Sequence, residues 1–308
     1  MTTMPEIPLP FWNDGPARSA IVDFVARVAK EGGKDYVPPA ERIATFDNDG
    51  TLWNEHPMPV QGFFLADRIK QLAAKDPSIK QRQPFKAFLE HDFKTLQSLG
   101  KQGLAELFFA THAGMSEEEF AEIGRAWFAS AKHPKYGCPF TQVAFKPQLE
   151  LLGYLRENGF KTYIVTGGGV DFVRLISEQA YGIPREQVIG SNVKLRVEMK
   201  DGRPVLMKTA ELGSFDDREV KVQNIGLQIG RRPILAFGNS DGDLAMLRYV
   251  KSGSGARLAL LLHHDDVERE AAYDREFMVS PLAEALDKAS EYGITVVSVQ
   301  RDWKVVFG

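Results

Sequence analysis

Five short apolar runs, at residues 42–46, 160–165, 234–237, 256–262 and 294–299, each follow a stretch whose apolar residues recur at helical spacing. Runs this short and this uniformly apolar read as strands covered on both faces, and strands that alternate with helices build a parallel sheet between two helical layers. The leading helix is marked by Ile21, Val22, Phe24, Val25 and Val28 and stopped by Gly32-Gly33. Between the first and second runs the alternation fails for roughly a hundred residues. From Val60 to about Ser130 the pattern is helical throughout, and Ser116 with Glu119 three residues on forms a capping box. Further on, alternating residues at 193–197 and 204–207 flank Asp201-Gly202, the signature of a hairpin.

The expectation is therefore an α/β chain: a Rossmann-like parallel-sheet core over residues 1–55 and 145–308, an inserted helical cap domain over 56–144, and a small β-hairpin flap. The cap's many aromatics, among them Phe63, Phe64, Phe85, Phe88, Phe108, Phe109, Trp127 and Phe128, read as its own core, with a minority free to line a pocket. At 308 residues the chain can bury roughly three quarters of its unfolded surface and needs no covalent staple. Lys and Arg number 38 against 41 Asp and Glu, a net charge of -3, so the basic footprint of a nucleic-acid partner is missing. The longest aliphatic run, 258–262, falls far short of the ~20 residues that span a bilayer, so no membrane partner is expected. Residues 1–15 lack the cationic start and apolar core of a secretory leader. A single cysteine, Cys138, excludes an intrachain disulfide, and together these features favour a reducing, cytoplasmic location. Nothing in the sequence speaks to oligomeric state.

Three of the strands end in polar loops. Asp47 and Asp49 lie two apart after the first, so their carboxylates leave the backbone on one side at the edge where open α/β sheets bind ligands. Two carboxylates that close need a cation between them or a proton on one. Gly50 and Thr51 add a tight turn and a hydroxyl; alone, the stretch is also compatible with a plain polar turn. After the second strand, Thr166-Gly167-Gly168-Gly169 sets a hydroxyl and unhindered backbone N–H groups before a helix, an arrangement suited to phosphate. After the third, Gly238-Asn239-Ser240-Asp241-Gly242-Asp243 gathers the hard oxygen donors that Mg²⁺ prefers. Lys221, at the start of a helical segment, can supply positive charge to this acidic site; Lys208, at the end of the hairpin, is the rival.

In this order the four pieces resemble the motifs of the haloacid dehalogenase superfamily of phosphohydrolases, from about Arg42 to Leu262, and the helical cap and hairpin are similar to the phosphoserine phosphatase-like branch. The resemblance implies a Mg²⁺-dependent phosphatase acting on a small-molecule phosphomonoester through an aspartyl-phosphate. Asp47 would be the nucleophile, Asp49 the general acid and base, Thr166 with Gly167 and Gly168 the phosphoryl cradle, and Lys221 the neutralising cation, with Asp47, Asp49, Asn239 and Asp243 around the metal; Asn239 would coordinate directly while Asp243 orients it or a bound water, the alternative being Asp241 or Asp243 as the direct ligand. A phosphotransferase or mutase of the same superfamily is the alternative, and a non-catalytic phosphate-binding module a further one. Two departures stand out. The family usually has an aspartate where this chain has Asn239, so the site loses a ligand charge and Asn239→Asp is expected to tighten Mg²⁺ binding. In phosphoserine phosphatases an acid shortly after the first motif meets the substrate amine, whereas here Glu55 falls one position early and His56 takes the place; both remain candidate substrate contacts, and phosphoserine itself is not implied.

Outside the motifs, His263 and His264 adjoin on a strand end, point to opposite faces and read as a polar terminus leading into a helix from Val267. Cys138 reads as an inert thiol, and Trp53, Asn54 and His56 either as substrate contacts or as packing where the chain leaves for the cap.

Overall fold

The structure is a computed structural model that describes residues 8–308, so the first half of the segment read as lacking a secretory leader lies outside the described residues. In chain order the elements are α1 (Pro16–Ala29), β1 (Ile43–Phe46), α2 (Val60–Lys75), α3 (Phe85–Leu89), α4 (Phe93–His112), α5 (Glu117–Ser130) and α6 (Lys146–Glu157). There follow β2 (Lys161–Gly169), α7 (Val170–Arg174), α8 (Ser177–Tyr181), β3 (Val188–Lys200), β4 (Arg203–Ser214), α9 (Glu219–Gln228) and β5 (Leu235–Gly238). The chain ends with α10 (Leu244–Lys251), β6 (Leu258–Asp265), β7 (Ala272–Tyr273), α11 (Glu284–Asp287), β8 (Thr295–Ser298) and α12 (Val299–Asp302).

One sheet runs in the order β4-β3-β2-β1-β5-β6-β7, with β8 also paired to β6. The pairs β3-β2, β2-β1, β1-β5, β5-β6 and β6-β8 are parallel. All four residues of β1 and of β5 are buried, as central strands covered on both faces must be. The chain winds outward from β1 through β2 to β3 and then returns to β5 on the other side of β1. The order therefore reverses at β1, and a crevice opens at the carboxyl ends of β1, β2 and β5.

The strand β3 changes partner along its length. Ile189 and Gly190 pair with β2, whereas Val197 and Met199 pair with β4 beyond the body of the sheet. The turn between β3 and β4 places both Asp201 (φ 52) and Gly202 (φ 75) in the left-handed region, which a tight hairpin that follows the strand twist requires. This hairpin is longer than the sequence pattern outlined, because β4 also bonds through Lys208 to Gly114 and Met115 below α5.

The helical insert leaves and rejoins the sheet along two adjacent segments: the N–H of Asn54 donates to Val143 and that of Phe145 to Leu52, both at 2.9 Å. Its helix α5 starts at the expected capping box, with Ser116 and Glu119 bonding reciprocally. The insert's aromatics divide between two jobs. Phe85 and Phe88 pack with Ile69, Leu96 and Leu107 into a core of the insert's own. Phe64, Phe120 and Trp127 instead join the main core, and Phe64 and Phe128 meet Phe172 of α7 at 5.1 and 4.8 Å. Each such ring contributes about 1.5–3 kcal/mol on burial, so part of what reads as a cap core in the sequence holds the insert against the sheet. Among the described residues no helix is long and apolar enough to cross a membrane. No helix starts at Val267: a turn fixed by Asp266, which accepts from the N–H groups of Glu268 and Arg269, leads into β7 instead.

Candidate active site

The loop after β1 is shaped by its own backbone. Asn48 accepts from the N–H groups of Thr51 and Leu52, and Gly50 turns with φ 74, a conformation that any side chain would strain. Asp47 is buried and Asp49 half-buried at the mouth of the crevice. The ammonium of Lys221, from α9, lies 2.6 Å from Asp47 Oδ1, 2.6 Å from Asp243 Oδ1 and 2.9 Å from the Val165 carbonyl. Those three acceptors use its three donors. The rival lysine is elsewhere: Lys208 is buried against Asp171 with its ammonium 5.1 Å from the Phe120 ring.

Burial, together with the Asp243 charge, raises the Asp47 carboxyl well above the ordinary range, and Lys221 opposes that rise. For Lys221 burial works against the charge, but Asp243 and Asp47 more than offset it and raise its pKa. Burial also raises Asp49, while the Trp53 indole, donating to Oδ1 at 2.9 Å, partly counters it.

The register of β2 on β3 jumps from Thr166–Gly190 to Gly169–Ser191, so Gly167 and Gly168 bulge out of the ladder. Ser191 pins the bulge by donating to the Gly167 carbonyl at 2.8 Å. A Cβ added at Gly168 would sit 3.3 Å from Thr166 Oγ1, 3.4 Å from Asp49 Oδ2 and 3.4 Å from Gln61 Oε1. Three polar groups from three elements converge there. The N–H groups, however, are less open than the glycine run suggested: Gly168 donates to Thr166 Oγ1 and Gly169 to Gln61 Oε1, at 3.0 and 2.7 Å.

Gln61, on α2, has no motif to announce it. Its amide nitrogen meets His112 Nε2 at 3.3 Å, and the Nδ1 of His112 lies 3.0 Å from the Phe108 carbonyl. With the ring stacked between Phe108 and Phe120, burial lowers the His112 pKa to about 3. A neutral imidazole that donates from Nδ1 and accepts Gln61 at Nε2 satisfies every contact.

The loop after β5 employs its side chains inward. Asp243 gives Oδ1 to Lys221 and Oδ2 to the N–H groups of Asn239 and Ser240 and the Ser240 hydroxyl. Both oxygens of this expected metal ligand accept from protein donors, which shapes the loop. Asp241 caps α11 through the N–H groups of Ala283, Glu284 and Ala285. Asn239 accepts the Thr51 hydroxyl at 3.0 Å and donates to Glu55 at 2.7 Å.

Glu55, expected as a substrate contact, is 1 % exposed and lies behind the loop, where Tyr273 and Ser280 also donate to it. Burial raises its pKa to about 7. His56 is half-buried and stacks on Tyr273 at 5.5 Å, so it packs where the insert departs. His264 is buried; its Nδ1 meets Glu270 at 2.8 Å and its Nε2 the Gly50 carbonyl at 2.7 Å. It braces the first loop from beneath. His263 faces Asp274 at 3.5 Å on the other side of the strand.

Among the described residues no cluster of three or more His, Cys, Asp or Glu side chains forms a ready-made metal cage. The donor set still suits magnesium, which is commonly held by one or two carboxylates and completed by substrate phosphate and water. Asp47, Asp49 and Asp243 face a single Lys221 in a buried site, an excess of negative charge that a cation relieves. Asp47 Oδ2 meets no protein donor among the described residues, and the Asn239 carbonyl keeps a second lone pair.

The model of the haloacid dehalogenase-like hydrolase family matches residues 44–248. No curated protein matches the chain. Among solved structures, a conserved protein of unknown function from Anaerococcus prevotii DSM 20548 is 18% identical, with 92% of this chain and 91% of that one covered and a TM-score of 0.57. A protein of unknown function from Bordetella pertussis Tohama I is 16% identical, covering 83% and 98%, with a TM-score of 0.52. A phosphoserine phosphohydrolase-like protein from Francisella tularensis subsp. tularensis SCHU S4 is 19% identical over 81% and 98%, with a TM-score of 0.42. Spanning the crevice and every loop around it, the matched region makes this chain a member of the haloacid dehalogenase-like hydrolase family.

Proposed function

We propose that the chain is a phosphatase for a small phosphomonoester, working through an aspartyl-phosphate on Asp47, with residues 1–55 and 145–308 as its core and 56–144 as its cap. The observation that carries this reading is the ammonium of Lys221 set 2.6 Å from both Asp47 and Asp243, beside Thr166 and Asp49 converging at Gly168.

Lys221 holds Asp47 by one oxygen and leaves the other for attack on phosphorus. The phosphoryl oxygens gather charge as the bond to Asp47 forms. Thr166, whose oxygen accepts from Gly168, retains its hydroxyl proton to donate to one of them. Asp49 is protonated more readily than an exposed aspartate because it is desolvated, so it can give a proton to the leaving oxygen and recover one from the water that hydrolyses the intermediate. Asp47, Asp49 and the Asn239 carbonyl would hold magnesium, which would supply charge neutralisation and Lewis acidity when bound. Gln61 and His112 close the roof over Gly168 without presenting a charge to the leaving group.

The test is turnover of p-nitrophenyl phosphate and a panel of metabolite phosphomonoesters with each divalent metal and with EDTA. Metal-dependent phosphate release is expected. No turnover anywhere in the panel would overturn the reading, and phosphate binding without an aspartyl-phosphate burst would make the chain a binding module. Transfer to an added alcohol in preference to water would make it a phosphotransferase.

A further inference from the structure

Behind the loop that carries Asp47, Asn239 Nδ2 donates to Glu55 Oε1 at 2.7 Å, and both residues are nearly inaccessible, at 2% and 1% exposure. The other end of the amide is assigned as well, because the Thr51 hydroxyl donates to Asn239 Oδ1 at 3.0 Å. Turning the amide over would set its oxygen against a carboxylate and its nitrogen against a hydroxyl. Glu55 takes its remaining hydrogen bonds from the hydroxyls of Tyr273 and Ser280, at 3.2 and 2.7 Å. No Lys, Arg or His bonds to it among the described residues. Gly50 packs directly on the pair, since a Cβ there would fall 2.1 Å from Asn239 Nδ2 and 2.2 Å from Glu55 Oε1.

We propose that Glu55 is a positioning residue for the cation site: it accepts from the Asn239 amide and so holds its carbonyl toward the Asp47 loop. This inference rests on the metal-assisted reading of the site given above. It explains why an amide stands at position 239. An aspartate there would meet the Glu55 carboxylate at hydrogen-bond distance in a buried pocket, and two carboxylates that close cannot both stay ionised. The added ligand charge of Asn239→Asp is then cancelled by a proton or by a shifted loop, and the simple expectation of tighter magnesium binding fails while Glu55 is in place.

A double-variant cycle tests this in the full chain, read by the thermal midpoint of metal-free protein and by Mg²⁺ affinity from calorimetry. Asn239→Asp should lower the midpoint by about 3 °C or more and bind Mg²⁺ no more tightly than the wild type. Adding Glu55→Gln, whose amide can donate to the new carboxylate, should restore the midpoint and tighten Mg²⁺ binding about tenfold over Asn239→Asp alone. Glu55→Gln on its own should keep the amide oriented and leave Mg²⁺ affinity nearly unchanged. If Asn239→Asp alone does not fold, the double variant decides, and Mg²⁺ bound by it no more tightly than by the wild type overturns the proposal. Additive effects of the two substitutions, or Asn239→Asp binding Mg²⁺ tightly at an unchanged midpoint, overturn it as well while leaving the phosphatase reading intact. Protein that binds no Mg²⁺ in any variant overturns both.

Discussion

The floor and the roof of the crevice are held by different forces. On the floor, Lys221 bridges Asp47 and Asp243 with all three groups buried. On the roof, Gln61 links the Gly169 N–H to a neutral His112 stacked between two phenylalanines. Removing one partner from a buried ion pair costs about 3–5 kcal/mol, so the floor has a single arrangement. A neutral hydrogen bond is worth only about 0.5–1.5 kcal/mol net, so the roof's polar contact can be broken and remade. On the function proposed above, charge stands where a reacting phosphoryl group needs a fixed field, and neutral contacts stand on the side of the insert.

The sharpest way to break this comparison is at Asp47, the nucleophile proposed for the floor. Asp47→Asn removes the attacking oxygen's charge but leaves Thr166 and Lys221 in place, so turnover should fall roughly 10⁴-fold or more while inorganic phosphate still binds. Wild-type-like rates in carefully purified Asp47→Asn protein would refute the assignment.

Next comes a contrast between two buried lysines. Lys221→Ala strands Asp47 and Asp243 side by side and should cost about 10²–10³ in kcat. Lys208→Ala breaks a link between the hairpin and Asp171 of α7, where no reacting atom lies. It should lower stability and change kcat by less than about tenfold. Steady-state kinetics beside the melting midpoints separates the two roles, and the reverse ranking would show that Lys208 serves the phosphate.

The same contrast explains what could be read from the sequence. Asp47 and Asp49 were legible because strand period and loop position alone put both carboxylates at the sheet edge. Lys221 was legible by its place at a helix start, although only the fold could show it touching Asp47. Asp243 was placed in the right loop, but no pattern tells how a carboxylate divides itself between a metal, a lysine and its own backbone. The roof was almost silent. Gln61 and His112 are ordinary polar residues on helices, and their meaning depends on docking against Gly169, a contact 108 positions away in the chain. Glu55 was misread for the same reason: two of its partners, Tyr273 and Ser280, come from a segment whose turns and two-residue strand carry no periodic signal.

The smallest of these effects sharpens the roof side of the comparison, and it is one of stability against pH. Burial holds His112 near a pKa of about 3, far below the ordinary 6.5 of an imidazole, so on acidification the unfolded chain takes up the proton first. The stability that His112 contributes is therefore complete above about pH 6.5 and is lost as pH falls toward 3. A protonated ring would also point an N–H at the Gln61 amide nitrogen, undoing the link to Gly169. Between pH 7 and 4.5 the wild type should lose about 2.5 kcal/mol more unfolding free energy than His112→Gln, at about 1.4 kcal/mol per pH interval below 6.5. Carboxylates titrate in both proteins, so the difference between their urea-unfolding curves isolates the histidine. Equal losses would mean that the ring accepts its proton in the folded state, and that the roof is held by charge after all.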